Sequence, residues 1–349
     1  MTEISEPALA REPSRAARLW TFVGDVFPGV AVAGLVAMSA KLVTEHHGGP
    51  VMLLALLMGM AVGFLREIPP LRPGLAFSSR TILRVGVALL GAQITLQFLA
   101  GLGWPALLFI ALGVALTIAA GALIARLFGQ TVWFGVLAGG AVGICGAAAA
   151  AAISAVLPRH EKSNADTAMT IIGVTALSTA AMIAYPLLGH ALGMDDRTIG
   201  FFLGLTIHDV AQVVGAGYSV SDETGDLAVV VKLFRVILLL PVVLIVAFAV
   251  RTTAQRAGAA RPGVPLFVVG FALLVVARSF DFIPAIAAPH FADLSRWCLV
   301  TAMAAIGILT ALGEIRGLGY KPALLLTGLT VAIAVFGLMG TLLLPVLGR

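Results

Sequence analysis

Gly135-Val-Leu-Ala-Gly139-Gly140-Ala-Val-Gly143-Ile-Cys145-Gly146, followed by six alanines from Ala147 to Ala152, is the stretch on which the fold turns. It holds five glycines in twelve residues, and each costs about 1 kcal/mol relative to alanine inside a helix. A helix entering this run is predicted to break near the bilayer midplane and to restart on the alanines. A restarted helix presents backbone donors and about half a positive charge at its N-terminus, which suits an anion. Gly143, Cys145, Gly146 and Ala147 are therefore assigned to a candidate anion cradle. The competing reading is that the small residues only permit close helix packing.

A second interrupted stretch, Gly204-Leu-Thr-Ile-His208-Asp209-Val-Ala-Gln212, carries polar groups inside apolar sequence, with Gly215 and Gly217 beyond it. Ionisable groups at bilayer depth cost about 2.5 to 3.5 kcal/mol each on insertion scales, so they normally mark an ion or substrate path. The spacing puts Gln212 on a helical face with His208 or Asp209. His208 and Asp209 are assigned to coupling or gating, because an imidazole changes charge near neutral pH, and Gln212 to the substrate site. The alternative is a His-Asp pair that locks a broken helix without titrating.

Lys232 and Arg235 share one face of the next apolar segment. One is expected to neutralise Asp209 and the other to leave the excess positive charge that a small oxyanion requires. A buried salt bridge plus one snorkelling base is the competing account. Arg84, Gln93 and Thr95 are expected to line the same path, although a Gln or Thr in a membrane helix often only bonds its neighbours.

Composition sets the class. The chain has 349 residues, is 60% hydrophobic and 11% charged, and has a mean hydropathy of +1.06; soluble domains are about a quarter charged. This is an all-α polytopic membrane protein, with the bilayer and a small anion as partners. The net charge of +5 belongs to loops and implies no nucleic acid. Cys145 and Cys298 lack the spacing of a metal site or a disulfide framework, and His46-His47 makes no metal set. No HExxH, GxSxG or P-loop occurs, so an enzyme, a resident metal and an organic cofactor are not expected.

Eleven candidate spans follow a polar tail, residues 1–18, within one transmembrane domain, residues 19–349. They lie near 19–43, 50–65, 77–99, 104–126, 131–157, 167–190, 198–219, 225–250, 264–280, 295–314 and 322–347. With the N-terminus inside, fourteen Lys and Arg fall in cytoplasmic segments and six on the other side, which favours a cytoplasmic N-terminus. Two internal similarities have different offsets. Gly91-x9-Gly101-Leu102-Gly103-Trp104-Pro105 resembles Gly307-x9-Gly317-Leu318-Gly319-Tyr320-Lys321-Pro322, 216 residues later; Ile144-Cys145-Gly146 has a setting like Ile207-His208-Asp209, 63 residues later. One tandem duplication cannot give both, yet inverted-topology repeats, common in secondary transporters, remain in view.

ICGAAA at Ile144–Ala149, IHDVAQVVGAG at Ile207–Gly217, VVKLFRV at Val230–Val236, and AMAAIG with GYKPALL between Ala302 and Leu325 together resemble the YeiH family of bacterial inner-membrane proteins, a family named for sulfate export. The resemblance covers most of the chain from Arg84 onward. It implies a fold with crossed, discontinuous helices like those of sodium/proton antiporters and bile-acid symporters, a core domain rocking against a panel domain, and a homodimer. Val142 and Gly143 stand where relatives commonly carry serines, Gln93 where a basic residue is frequent, and Ser154 where an acid can occur.

The expected function is export of a small anion, sulfate or sulfite first. A sodium- or proton-coupled carrier of an organic acid, with His208 and Asp209 at the coupling ion, is the alternative within transport. A structural or regulatory membrane protein is the alternative outside it.

Overall fold

A computed structural model describes residues 15–47, 51–97, 102–158, 163–251, 266–284, 286–310 and 320–343. The described residues form helices and no strands, as a bilayer demands when every backbone group must be satisfied within its own segment. They are α1 (Arg15–His47), α2 (Val51–Ala61), α3 (Arg72–Phe77) and α4 (Leu83–Leu90) joined by a π turn, α5 (Gly103–Leu127), α6 (Val132–Gly140), α7 (Ala147–Ser154), α8 (Ser163–Ala191), α9 (Asp196–Thr206), α10 (Val210–Tyr218), α11 (Asp222–Ile237), α12 (Leu239–Arg251), α13 (Leu266–Ser279), α14 (Ala288–Leu309) and α15 (Tyr320–Leu343). Six stretches, in α1, α5, α8, α11–α12, α14 and α15, are long and apolar enough to cross a membrane. The first helix begins at Arg15, inside the tail expected to be polar; residues 1–14, and Gly101 and Gly317–Gly319 of the internal match, lie outside the described residues.

Both glycine-interrupted segments break where the sequence indicates, but neither continues across. In the second, Gly200 near the start of α9 and Gly217 near the end of α10 both face Thr224. The Thr224 hydroxyl donates to the Asp196 carbonyl at 2.9 Å, and Tyr218 donates to Asp226 at 2.5 Å. The two ends of the segment therefore sit at the same end of α11. In the first, Ile153 of α7 lies against Gly140 of α6. Trp133, Phe134 and Leu137 line one cleft with Ser154, Leu157 and Pro158. Each segment is a re-entrant helical hairpin: it enters, turns, and returns to its own end. This corrects the expectation of eleven crossings with crossed, discontinuous helices. Two of the eleven candidates are hairpins rather than crossings.

Glycines set these close approaches. A Cβ on Gly121 would strike the Gly135 carbonyl, and one on Gly204 would lie 2.5 Å from the Ala228 carbonyl, so α5 with α6 and α9 with α11 meet backbone to backbone.

The helices form two groups. α1, α2, α3, α4, α13 and α14 pack on one another, whereas α5, the two hairpins, α8, α11 and α15 form the other group. α10 bridges them by touching α2 and α14.

The packing also resolves the two offsets. Gly307 of α14 meets the Leu56 carbonyl of α2, and Gly91, just past α4, meets the Phe271 carbonyl of α13. Gly121 of α5 faces the incoming arm of the first hairpin, and Gly337 of α15 faces Phe202 and Thr206 in the incoming arm of the second. The helices at the 216-residue offset pair with each other, α4 with α14 and α5 with α15, where Phe109 and Phe336 stack at 4.1 Å. Equivalent helices run in opposite directions. The repeat order is thus α2–α4–α5, first hairpin–α8, second hairpin–α11/α12, α13–α14–α15. The outer modules repeat at 216 residues and the inner ones at 63.

Candidate functional site

Three helix starts at the ends of the bundle, those of α6, α9 and α11, are capped by side chains, whereas those of α5 and α14 are not. Thr131 accepts from Phe134 N, Asp195 from Thr198 N and Ser221 from Thr224 N, at 3.1, 2.7 and 3.1 Å. The two starts inside the bundle also lack a side-chain cap. Gly146 has no side chain to cap α7, and Asp209 makes no capping bond of standard geometry to α10, although its carboxylate faces the Val210 and Ala211 amides. Gly146 turns the chain at φ 62°, ψ −126°. Its missing Cβ would lie 3.5 Å from the Asp209 Cβ and 3.6 Å from the His208 carbonyl, so the two hairpin tips touch.

Arms that end inside a bilayer leave carbonyls without partners, each costing several kcal/mol. Lys232 and Arg235 supply the donors. Lys232 Nζ donates to the carbonyls of Ile144 (2.7 Å), Ile207 (2.9 Å) and His208 (2.5 Å). Arg235 donates from Nε to Gly143 (2.8 Å), from Nη1 to Gly204 (2.9 Å) and Ile207 (3.0 Å), and from Nη2 to Val142 (2.9 Å). An ammonium has three N–H groups and a guanidinium five, so Lys232 is fully used and Arg235 nearly so. Both side chains are 0% exposed. They stitch the ends of both incoming arms to α11 and place positive charge at two helix C-termini. The expected ion pair with Asp209 is absent: among the described residues, neither base reaches its carboxylate.

His208 and Asp209 lie in the extended link between α9 and α10, so the expected shared helical face with Gln212 does not form. The His208 ring faces α15, where its Nε2 is 2.9 Å from Thr330 Oγ1. Thr330 gives its own proton to the Leu326 carbonyl, so the imidazole is the donor in that contact. Asp209 is half-buried, and its backbone N–H donates to Ser178 Oγ of α8 at 3.1 Å. Gln212 is 2% exposed, and its Nε2 lies 3.5 Å from Thr179 Oγ1. Its Oε1 is buried without a hydrogen-bond partner.

Cys145 is a free, buried thiol just before the turn, and Ala147 is half-exposed at the first position of α7. Arg84 is exposed on α4, and its charge acts on Asp209 more weakly than that of Lys232. Gln93 lines a separate cleft of about 340 Å³ at the far end, between the two helix groups, with Tyr218, Asp222, Asp226 and Arg296. Arg296 pairs with Asp222 there at 3.4 Å. Thr95 is half-buried in the turn after α4. Gln93 and Thr95 are thus apart from the tips, whereas Arg84 is not. Thr179 and Thr330 escaped the sequence reading because single hydroxyls in α8 and α15 carry no motif.

The family model for Conserved hypothetical protein 698 matches residues 28–326. "UPF0324 membrane protein TauZ" of Paracoccus denitrificans is 48% identical over 318 residues, covering 90% of this chain and 94% of that protein. "UPF0324 membrane protein CT0845" of Chlorobaculum tepidum is 47% identical over 312 residues, covering 88% and 87%. "UPF0324 membrane protein RA0957" of Rhizobium meliloti is 44% identical over 337 residues, covering 94% and 95%. No solved structure matches the chain. With a family model matching most of its length and relatives aligned nearly end to end, this multi-helix membrane protein belongs to the UPF0324 membrane proteins, the family that the YeiH-type motifs indicate.

Proposed function

We propose that the protein is a secondary carrier of a small anion, sulfate or sulfite first, exported across the bacterial inner membrane. The observation that carries the reading is the meeting of two hairpins, inserted from opposite ends, at Gly146 and Asp209. That arrangement puts two helix N-termini without side-chain caps inside the bundle, where their donors act in a medium of low dielectric. Arg84 is the exposed cation acting on Asp209. Lys232 and Arg235 act from behind, holding the tips in place through the carbonyls.

Alternating access follows from an asymmetry between the repeats. Ala211 and Val214 of α10 are buried, and α10 packs on α2 and α14. Their equivalents at the 63-residue offset, Ala148 and Ala151 of α7, are exposed. The second hairpin is closed on the other helix group and the first is not. A carrier would exchange these two conditions.

The hairpin topology also shifts the basic tally. The connection between Pro158 and Ser163 joins the end that holds the start of α1, and the one between Ala191 and Asp196 leaves it. By sequence position Arg159 and Lys162 then count at that end in place of Arg197, and with Arg84 set aside as a residue of the path the tally is fourteen Lys and Arg against five. This supports a cytoplasmic N-terminus. A divalent anion leaving a cell of negative interior gains about 4.6 kcal/mol per 100 mV, so export needs no other driving ion.

The test is radiolabelled sulfate and sulfite flux in proteoliposomes under an imposed potential, comparing the native chain with Arg84→Ala. Flux that follows the potential and falls at least tenfold in Arg84→Ala is the expected result. Absence of flux for either anion at any potential or pH gradient overturns the exporter reading and favours the organic-acid alternative.

A further inference from the structure

We infer that α8 and the second hairpin form a binding site for a monovalent cation, sodium, with Gln212 Oε1, the Asp209 carboxylate and Ser178 Oγ as its protein ligands. The inference deepens the carrier reading by giving it a coupling ion, and rests on it only for that role.

The first observation is the orientation of Gln212. Thr179 Oγ1 donates to the Thr175 carbonyl at 3.0 Å, so toward Gln212 it can only accept. The amide nitrogen is therefore the end that faces Thr179, at 3.5 Å, and Oε1 is turned away from it. That oxygen is buried and has no donor. A buried acceptor is normally paired, and an orphan calls for an unseen water or ion.

The second observation is the state of the local cap. Asp209-Val-Ala-Gln212 has the spacing of a capping box, in which the fourth side chain bonds the backbone N–H of the first residue. Here that N–H is taken by Ser178 Oγ at 3.1 Å. The box stays open, which leaves Gln212 Oε1 available, while the Asp209 carboxylate faces the Val210 and Ala211 amides and keeps further lone pairs for a cation. Ser178 is 0% exposed and retains a second lone pair.

The third is charge. Lys232 and Arg235 direct their donors to carbonyls of the arms, and neither pairs with Asp209. Lys232 is the strongest cation acting on Asp209 and Arg84 a weaker one, yet among the described residues neither makes an ion pair with the carboxylate, so a small cation seated on it would supply the direct counter-charge. A water would satisfy Gln212 but not that charge. The oxygen-only ligand set suits a hard cation, and no group of three or more His, Cys, Asp or Glu among the described residues makes a transition-metal site. His208 Nε2 is taken by Thr330 on α15; its Nδ1 is buried without a hydrogen-bond partner, but an imidazole nitrogen suits a transition metal rather than a hard cation.

A bound ion would tie α10 to α8 and so bias the hairpin that closes against α2 and α14. The experiment is equilibrium binding of 22Na+ to the full purified chain in detergent, without any anion substrate, for the native protein, Gln212→Leu and Ser178→Ala. Thermal unfolding in choline buffer is recorded for each. Saturable binding that weakens at least tenfold in Gln212→Leu and severalfold in Ser178→Ala, with unfolding in choline unchanged, is expected. Should Gln212→Leu not fold, Ser178→Ala alone decides by the same criterion. No saturable binding by the native chain, a structural water only, overturns the site, as does binding that both substitutions leave intact. Anion flux without sodium, alongside absent 22Na+ binding, removes the site and keeps the carrier. Saturable 22Na+ binding without anion flux keeps the site and removes the anion.

Discussion

Gly146 and Asp209 are the contact at which two hairpins from opposite ends of the bundle meet, with 3.5 Å between the position of a Cβ on the glycine and that of the aspartate. Room for a methyl group exists there, since 3.5 Å is ordinary van der Waals contact. What forbids a side chain is the backbone, at φ 62° and ψ −126°. Gly146→Ala is expected to lower stability by about 1–3 kcal/mol, the usual cost of such a conformation, and to reduce flux by displacing the start of α7. Thermal unfolding and flux measured on the same preparation check this. Unchanged values for both would remove the turn from the mechanism.

The two buried bases and the exposed one should separate experimentally. Lys232→Met leaves the Ile144, Ile207 and His208 carbonyls without their donor. It is expected to destabilise the fold by about 3–5 kcal/mol, the range for breaking a buried charged network. Arg84→Ala removes an exposed side chain and should change stability by no more than about 0.5 kcal/mol, while the affinity for the anion falls. Unfolding curves paired with anion-binding isotherms distinguish the two. If Lys232→Met unfolds like the native chain and only loses affinity, the lysine is a direct ligand.

Thr330 fixes the imidazole of the second hairpin from α15, accepting from His208 Nε2 at 2.9 Å. Thr330→Val keeps the shape and deletes the acceptor, leaving a buried N–H unpaired at a cost of about 1–3 kcal/mol. Thr330→Ser should retain most of the native stability. A valine variant as stable as the serine one would mean that His208 finds another partner and that the contact does not hold the tip.

Much of this was legible in residues, and the limits have a physical origin. Composition places the chain in a membrane, and the glycines at Gly143, Gly146, Gly204 and Gly215 mark both interruptions. Whether an interrupted apolar segment crosses or returns is not written in its hydropathy. The 132–158 and 196–218 segments have the length of spans, and only the contacts of Ile153 with Gly140, and of Gly200 and Gly217 with Thr224, decide the matter. The roles of Lys232 and Arg235 were hidden for a similar reason. Counting ionised groups finds an excess of positive charge, but the negative ends of two helix arms are carbonyls and carry no letter in the sequence. The two repeat offsets were visible, and became compatible once the modules were seen to be nested.

The nested repeat makes a prediction about the opposite state of the carrier. Gly215 of α10 lies against Met303 of α14, 2.8 Å from its methyl carbon by the position of an added Cβ. Applying the 63- and 216-residue offsets turns this contact into Ala152 of α7 against Val87 of α4. Ala152 is half-exposed at present, and α7 does not rest on α4. If carriage exchanges the two hairpins, Ala152→Cys and Val87→Cys should cross-link under mild oxidation, in a background where Cys145 and Cys298 are replaced by alanine. A disulfide needs the two Cα atoms within about 4.4–6.8 Å, so the bond reports closure of the first hairpin directly. Cross-linking should stop flux, and reduction should restore it. A background protein that transports normally while the pair never cross-links would show that the first hairpin does not close on α4, and that access alternates by some other movement.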